Sequence, residues 1–160
     1  MPLQELKKVY RTFHGIKSML EDSFPFKHLV DFTELCRGKP LLVEQDAMPI
    51  AMTGYCVALL DVDLICTRTG LDSVLTHATC LHEIAHLLLG HIPITLDGPS
   101  TPDYSTFLHH RNIASVVKRL YADQRSTQHE LEAETLATLL VDCIAKDQQS
   151  APQLARCLGW

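Results

Sequence analysis

The sequence predicts an α+β fold in which N-terminal helical segments and a small sheet precede a central helix and further C-terminal helices. Three observations carry this. Apolar residues recur at steps of three and four from Leu3 to Leu20, the period shortens between Pro40 and Arg68, and helical spacing returns from residue 72 onward. At 160 residues the chain has room for one ordinary core, so residues 1–160 are expected to form a single domain.

Leu3, Leu6, Val9, Phe13, Ile16 and Leu20 give the first helix an apolar stripe, with Glu5, Lys7, Lys8, Arg11 and Lys17 falling mostly elsewhere. SFPF at 23–26 ends it, and a shorter helix is expected from His28 to Cys36, stopped by Gly38 and Pro40. LLVE at 41–44, YCVALL at 55–60 and LICTR at 64–68 are short apolar and β-branched runs separated by turn residues. They predict a small twisted sheet of about three or four strands, with 55–68 as a hairpin. Asp72 or Ser73 then caps the central helix, whose buried side is expected to be Val74, Leu75, Ala78, Leu81, Ala85, Leu88 and Leu89, up to Gly90. Residues 92–106 hold three prolines and read as a loop. Helical spacing resumes over Phe107 to Leu120 and again from about Gln128 to Lys146, and the tail is expected to dock Leu154, Leu158 and Trp160.

The charge is −5, from 14 basic and 19 acidic side chains, which disfavours phosphate backbones as partners because nonspecific nucleic-acid affinity comes from Lys and Arg. No direct nucleic-acid binding is expected. Residues 1–40 carry seven basic and five acidic side chains, whereas 41–100 carry Arg68 against seven acidic ones. Six cysteines stand far apart with no CxxC pair, and the N-terminus has no apolar secretory segment, so reduced thiols and a cytoplasmic location are expected. No apolar stretch approaches the roughly 20 residues that cross a bilayer, so no membrane association is expected.

The chemistry concentrates in THATCLHEIAHLLLGH at 76–91, where His82, Glu83 and His86 form H-E-x-x-H. Residues four apart on a helix lie one turn above each other, so both imidazoles face one way and can share an ion. Neutral imidazoles are good zinc ligands, and Glu83, rotated from them, can take a proton from water at the edge of the same site. Burying two histidines and a glutamate in an apolar helix is costly unless a partner uses them. His91 follows one position too early for an extended H-E-x-x-H-x-x-G-x-x-H pattern, since Ile92 holds the position of the third histidine, and is expected to hydrogen-bond at the helix end.

Catalytic zinc sites usually have three protein ligands and one open position. The third is sought in HELEAETLATLLVDC at 129–143, where Glu130 and Glu134 stack on one helix face while Leu131, Leu136, Leu139 and Leu140 are assigned to the core. Glu130 is the candidate ligand, and Glu134 the candidate acceptor for the far nitrogen of a ligand histidine, an outer contact that fixes its tautomer. Glu132, rotated from this pair by about 160–200°, is expected to face solvent.

The blocks HEIAHLLLGH and ELEAETLATLL resemble the ImmA/IrrE-type metallopeptidase domain, in which an H-E-x-x-H helix is followed by an E-x-x-A-(D/N)-x-x-A-x-x-L-L helix. The resemblance implies a zincin-like fold with Zn2+ held by His82, His86 and Glu130, Glu83 as catalytic base, and Glu134 supporting His82. It also implies a protein substrate, a helix-turn-helix repressor of a mobile element being a typical one. This chain departs from the pattern in having Glu134 at an Asp/Asn position, Leu136 where an aromatic is common, no Met-Pro after the Leu-Leu pair, and a long stretch between His86 and Glu130.

On this reading the chain is a zinc-dependent endopeptidase. Tyr104, His109, His110 and Tyr121 are the candidate oxyanion donors, and a strand edge within 55–68 is a candidate rest for an extended substrate. The rival reading is a regulatory protein-binding module that contains zinc and hydrolyses little; retention of Glu83 speaks against it, since a purely structural site needs no base.

Overall fold

The computed structural model describes residues 3–91, 102–109 and 126–144. The expected helix from Phe107 to Leu120 therefore falls outside the described residues beyond His109, as does the tail carrying Leu154, Leu158 and Trp160. The order is α1 (Leu3–Leu20), α2 (Phe26–Arg37), β1 (Leu41–Asp46), β2 (Gly54–Ala58), β3 (Asp63–Arg68), α3 (Ser73–Leu88), α4 (Tyr104–His109) and α5 (Thr127–Ile144). This is the α+β arrangement expected, with α4 starting inside the stretch read as loop, where Asp103 Oδ1 accepts the Thr106 amide at 2.7 Å.

Among the described residues the sheet has three strands in the order β1-β3-β2. β2 and β3 form the expected antiparallel hairpin, while β1 runs parallel to β3. Alternation along the strands separates two apolar clusters. Leu41, Cys56 and Ile65 join α1, α2, α3 and α5 in the main core. Tyr55, Val57, Leu64 and Cys66 pack with Phe107 and Tyr104 on the opposite face.

Helix α3 lies close on the sheet because β2 begins with a glycine. A Cβ on Gly54 would stand 2.4 Å from Thr79 Cγ2 and 2.8 Å from the Cys66 carbonyl oxygen. This approach turns the first half of α3 differently from the expectation: Thr76, Thr79 and Cys80 are buried, whereas Val74, Leu75 and Ala78 are exposed. The two threonines tolerate burial because their hydroxyls donate to the carbonyls of Asp72 and Leu75, one turn back. Asp72 is the cap, its carboxylate accepting the Leu75 amide at 2.8 Å.

A buried ion cluster ties α2 to the sheet. Asp63 at the start of β3 is 1% exposed and accepts from Arg37 Nε at 2.6 Å, while Lys39 Nζ lies 2.9 Å from its other oxygen. Lys39 also donates to the Leu59 carbonyl at 2.8 Å, closing the β2–β3 turn against the end of α2.

Helix α5 packs against α3 and α1. Its buried arc follows Ala133, Leu136, Ala137 and Leu140, an i, i+3, i+4, i+7 stripe whose alanines let the neighbouring helices approach. This corrects two expectations. Leu131 is exposed, and Glu132, expected in solvent, is 2% exposed. At 100° per residue the stripe runs past position 132 and leaves 131 on the far side.

Among the described residues no helix is long and apolar enough to cross a membrane. Cys36, Cys56, Cys66, Cys80 and Cys143 are free thiols, all buried except Cys36.

Candidate metal centre

Packing α5 on α3 brings together residues more than 40 positions apart. His82 Nε2 and His86 Nε2, one turn apart on α3, are separated by 3.1 Å. Glu130, at the start of α5, places Oε2 3.3 Å from His82 Nε2 and Oε1 3.4 Å from His86 Nε2. Glu130 is fixed there by the helix start: Ser126 Oγ accepts the His129 amide and its carbonyl accepts the Glu130 amide.

These separations can be compared with what an ion demands. Tetrahedral zinc with bonds of about 2.0–2.1 Å holds its ligand atoms about 3.3–3.4 Å apart. The 3.1 Å between the imidazoles and the 3.3 and 3.4 Å to the two oxygens of Glu130 are near that figure. One ligand atom from each residue lies within 4.8 Å of the others, and the donor set of two imidazoles and a carboxylate is one that divalent zinc accepts. His82, His86 and Glu130 therefore form a cluster able to hold a metal ion. The cluster sits at the rim of the core: the side chain of His86 is 10% exposed and that of Glu130 33%.

Both histidines are held from behind. His82 Nδ1 lies 3.2 Å from Glu134 Oε2, the contact anticipated from the sequence. His86 Nδ1 lies 3.0 Å from Nδ1 of His91, and His91 Nε2 lies 3.0 Å from Glu132 Oε2. Burial drives the His91 pKa down to about 4, outweighing its bond to Glu132. Glu132 goes the other way: burial alone would raise its pKa, but bonds from Gln128 and His91 and the Lys8 ammonium hold it lowered. Assigning Leu131 to the core hides this role of Glu132, although the Ala133–Leu136–Ala137–Leu140 stripe signals the correct face.

Glu83 is 2% exposed, and its charge acts on the thiols of Cys56 in β2 and Cys80 in α3. Burial first, and the Glu83 charge second, raise Cys56 well above the usual thiol range and push Cys80 up to about 12. Of the candidate oxyanion donors, Tyr104 belongs to the cluster on the sheet face opposite α3, where its hydroxyl donates to Glu44. That bond, with burial, pushes the Tyr104 pKa up to about 12. The structure thus places Tyr104 away from the metal cluster, because residues 102–104 are tied to the β2–β3 turn, Leu60 N–H donating to the Pro102 carbonyl and Tyr104 N–H to Asp61. The His109 side chain, His110 and Tyr121 lie outside the described residues.

No family model matches the chain, and no curated protein or solved structure matches it.

Proposed function

We propose that the chain is a zinc-dependent endopeptidase of the zincin-like, ImmA/IrrE-type design, hydrolysing peptide bonds in a protein substrate, with a helix-turn-helix repressor of a mobile element as the substrate class that the resemblance suggests. The observation that carries this is the set of three donor residues, drawn from two helices, whose ligand atoms lie within 4.8 Å of one another at the rim of the core. Three protein ligands leave one coordination position for water or substrate, the arrangement of catalytic zinc.

When bound, zinc supplies a Lewis acid that polarises a carbonyl and acidifies water. His82, His86 and Glu130 hold it, and Glu134 keeps the His82 ring oriented. Glu83, the one carboxylate on α3, takes a proton from the attacking water and delivers it to the leaving amine. Among the described residues no strand pairs with the outer side of β2, so that edge can hold an extended substrate by strand addition.

One observation favours a second reading, a zinc-containing regulatory module that binds a protein and does not cut it. Glu83 is 2% exposed, which limits its access to water. The experiment that separates the two is metal analysis of the purified chain together with a cleavage assay on casein and a mixed peptide library, read by mass spectrometry. Cleavage that disappears in Glu83→Gln while zinc is retained supports the peptidase. Zinc at about one per chain without cleavage moves the conclusion to the regulatory module, and absence of metal affinity overturns both.

A further inference from the structure

The end of α3 is built so that a residue outside the H-E-x-x-H segment reaches a ligand histidine. Gly90 adopts φ 66, the His91 amide donates to the His86 carbonyl at 3.0 Å, and the Gly90 amide donates to the Leu87 carbonyl at 3.1 Å. This pair of bonds is a Schellman turn, which folds the residue after the glycine back over the helix position five before it. An apolar contact commonly fills that place. Here the two residues are His91 and His86, with Nδ1 facing Nδ1 at 3.0 Å.

The His91 ring is gripped on its other sides. Glu132 Oε2 stands 3.0 Å from Nε2, and the His129 ring stacks on it at 4.3 Å with a 14° interplanar angle. Glu132 is itself held, Oε1 accepting from Gln128 at 3.0 Å and Oε2 lying 3.4 Å from Lys8 Nζ of α1.

The positions of the protons then follow in sequence. An ionised carboxylate only accepts, so His91 Nε2 carries a proton. With one proton per imidazole, His91 is left with a bare Nδ1 that faces His86 Nδ1 at 3.0 Å, and two facing nitrogens need one proton between them, so His86 Nδ1 carries it. His86 Nε2 is consequently bare and turned toward His82 and Glu130.

We propose that His91 and Glu132 act as a positioning pair that locks His86 in the Nδ1–H tautomer and offers its Nε2 lone pair to a metal ion. What receives the lone pair rests on the metal reading above; the tautomer does not. The chain His86–His91–Glu132 joins α3, the turn after it and α5, so the ligand is set by the packing of two helices and not by its own helix alone. His91 is a positioning residue and touches no substrate.

The test reads the tautomer directly. Long-range 1H–15N correlation spectra of the full chain, labelled with 15N and stripped of metal, are expected to show the His86 proton on Nδ1. A proton on Nε2, the form an unconstrained histidine prefers, overturns the proposal. Zinc affinity by chelator competition gives a second readout: His91→Phe is expected to weaken binding by about 10–100-fold. His91→Asn, whose Oδ1 can accept from His86 Nδ1, is expected to restore most of that loss. Equal affinity of wild type and His91→Phe, or an equal loss in both variants with both folded by circular dichroism, overturns it as well. If the unsubstituted chain takes up no zinc, the metal reading fails, and the His86 tautomer still decides the pair.

Discussion

Glu134 Oε2 stands 3.2 Å from His82 Nδ1 across 52 residues of sequence, so a carboxylate from α5 orients a histidine of α3 from behind while Glu130, one turn earlier on α5, faces its other nitrogen. The two glutamates divide between them the two edges of one imidazole. Because Glu134 is largely exposed, its hold on His82 is weaker than a buried contact would be. Glu134→Gln is therefore expected to weaken zinc binding by about tenfold, the low end of what outer contacts contribute. Chelator competition measures it, and unchanged affinity would remove Glu134 from the site.

Glu130 has no substitute among the described residues, since it completes the one cluster of three donors found there. Glu130→Ala, and separately His82→Ala with His86→Ala, should each reduce zinc from about one per chain to a small fraction after dialysis. Plasma mass spectrometry reads the content. Full retention in the double histidine variant would refute the metal centre.

Gly54→Ala forces a methyl group to within 2.8 Å of the Cys66 carbonyl oxygen, which is strand backbone, and 2.4 Å of a Thr79 methyl. Either β2 shifts or α3 lifts away from the sheet. Overpacking of this kind costs about 1–3 kcal/mol, read as a lower urea midpoint, and α3 is the helix that carries His82 and His86. A midpoint equal to wild type would show that the helix does not rest on this glycine.

Arg37→Ala leaves the buried Asp63 carboxylate with Lys39 as its remaining cation. Losing one partner of a buried pair costs roughly 3–5 kcal/mol, and the retained lysine sets the expectation near the lower end. Chemical denaturation of the metal-free chain isolates the effect from ligand binding. A change below about 1 kcal/mol, the level of exposed pairs, would mean that the pair is effectively solvated.

Thiol labelling provides an independent check on burial. Among the described cysteines, Cys36 is exposed and is expected to react first with iodoacetamide at pH 8, whereas Cys56 and Cys80 are buried and hold their protons above the usual range. Peptide mapping over time should give that order. Early modification of Cys80 would place the α3–sheet interface in solvent.

Much of this arrangement was written in local sequence. The three-and-four spacing of Leu3 to Leu20 gave α1 to its residue bounds, and the 55–68 runs gave the β2–β3 hairpin. The pairing of His82 with His86, and of Glu130 with Glu134, needed only the pitch of a helix. Errors fell where a helix has more than one neighbour. Val74, Leu75 and Leu131 look like core residues by hydropathy, yet they face out because the buried arcs of α3 and α5 are set by Thr79 against Gly54 and by Ala133 and Ala137 against neighbouring helices.

The sequence by itself determined that two imidazoles share one side of a helix and that a second helix carries a pair of carboxylates, since both are consequences of spacing within a single element. Only the tertiary structure decided that Glu132 lies inside beside His91 and that Tyr104 belongs to the other face of the sheet. The reason is physical: periodicity fixes directions about a helix axis, but the rotation and contact of one axis against another come from side-chain packing between residues 40 or more positions apart.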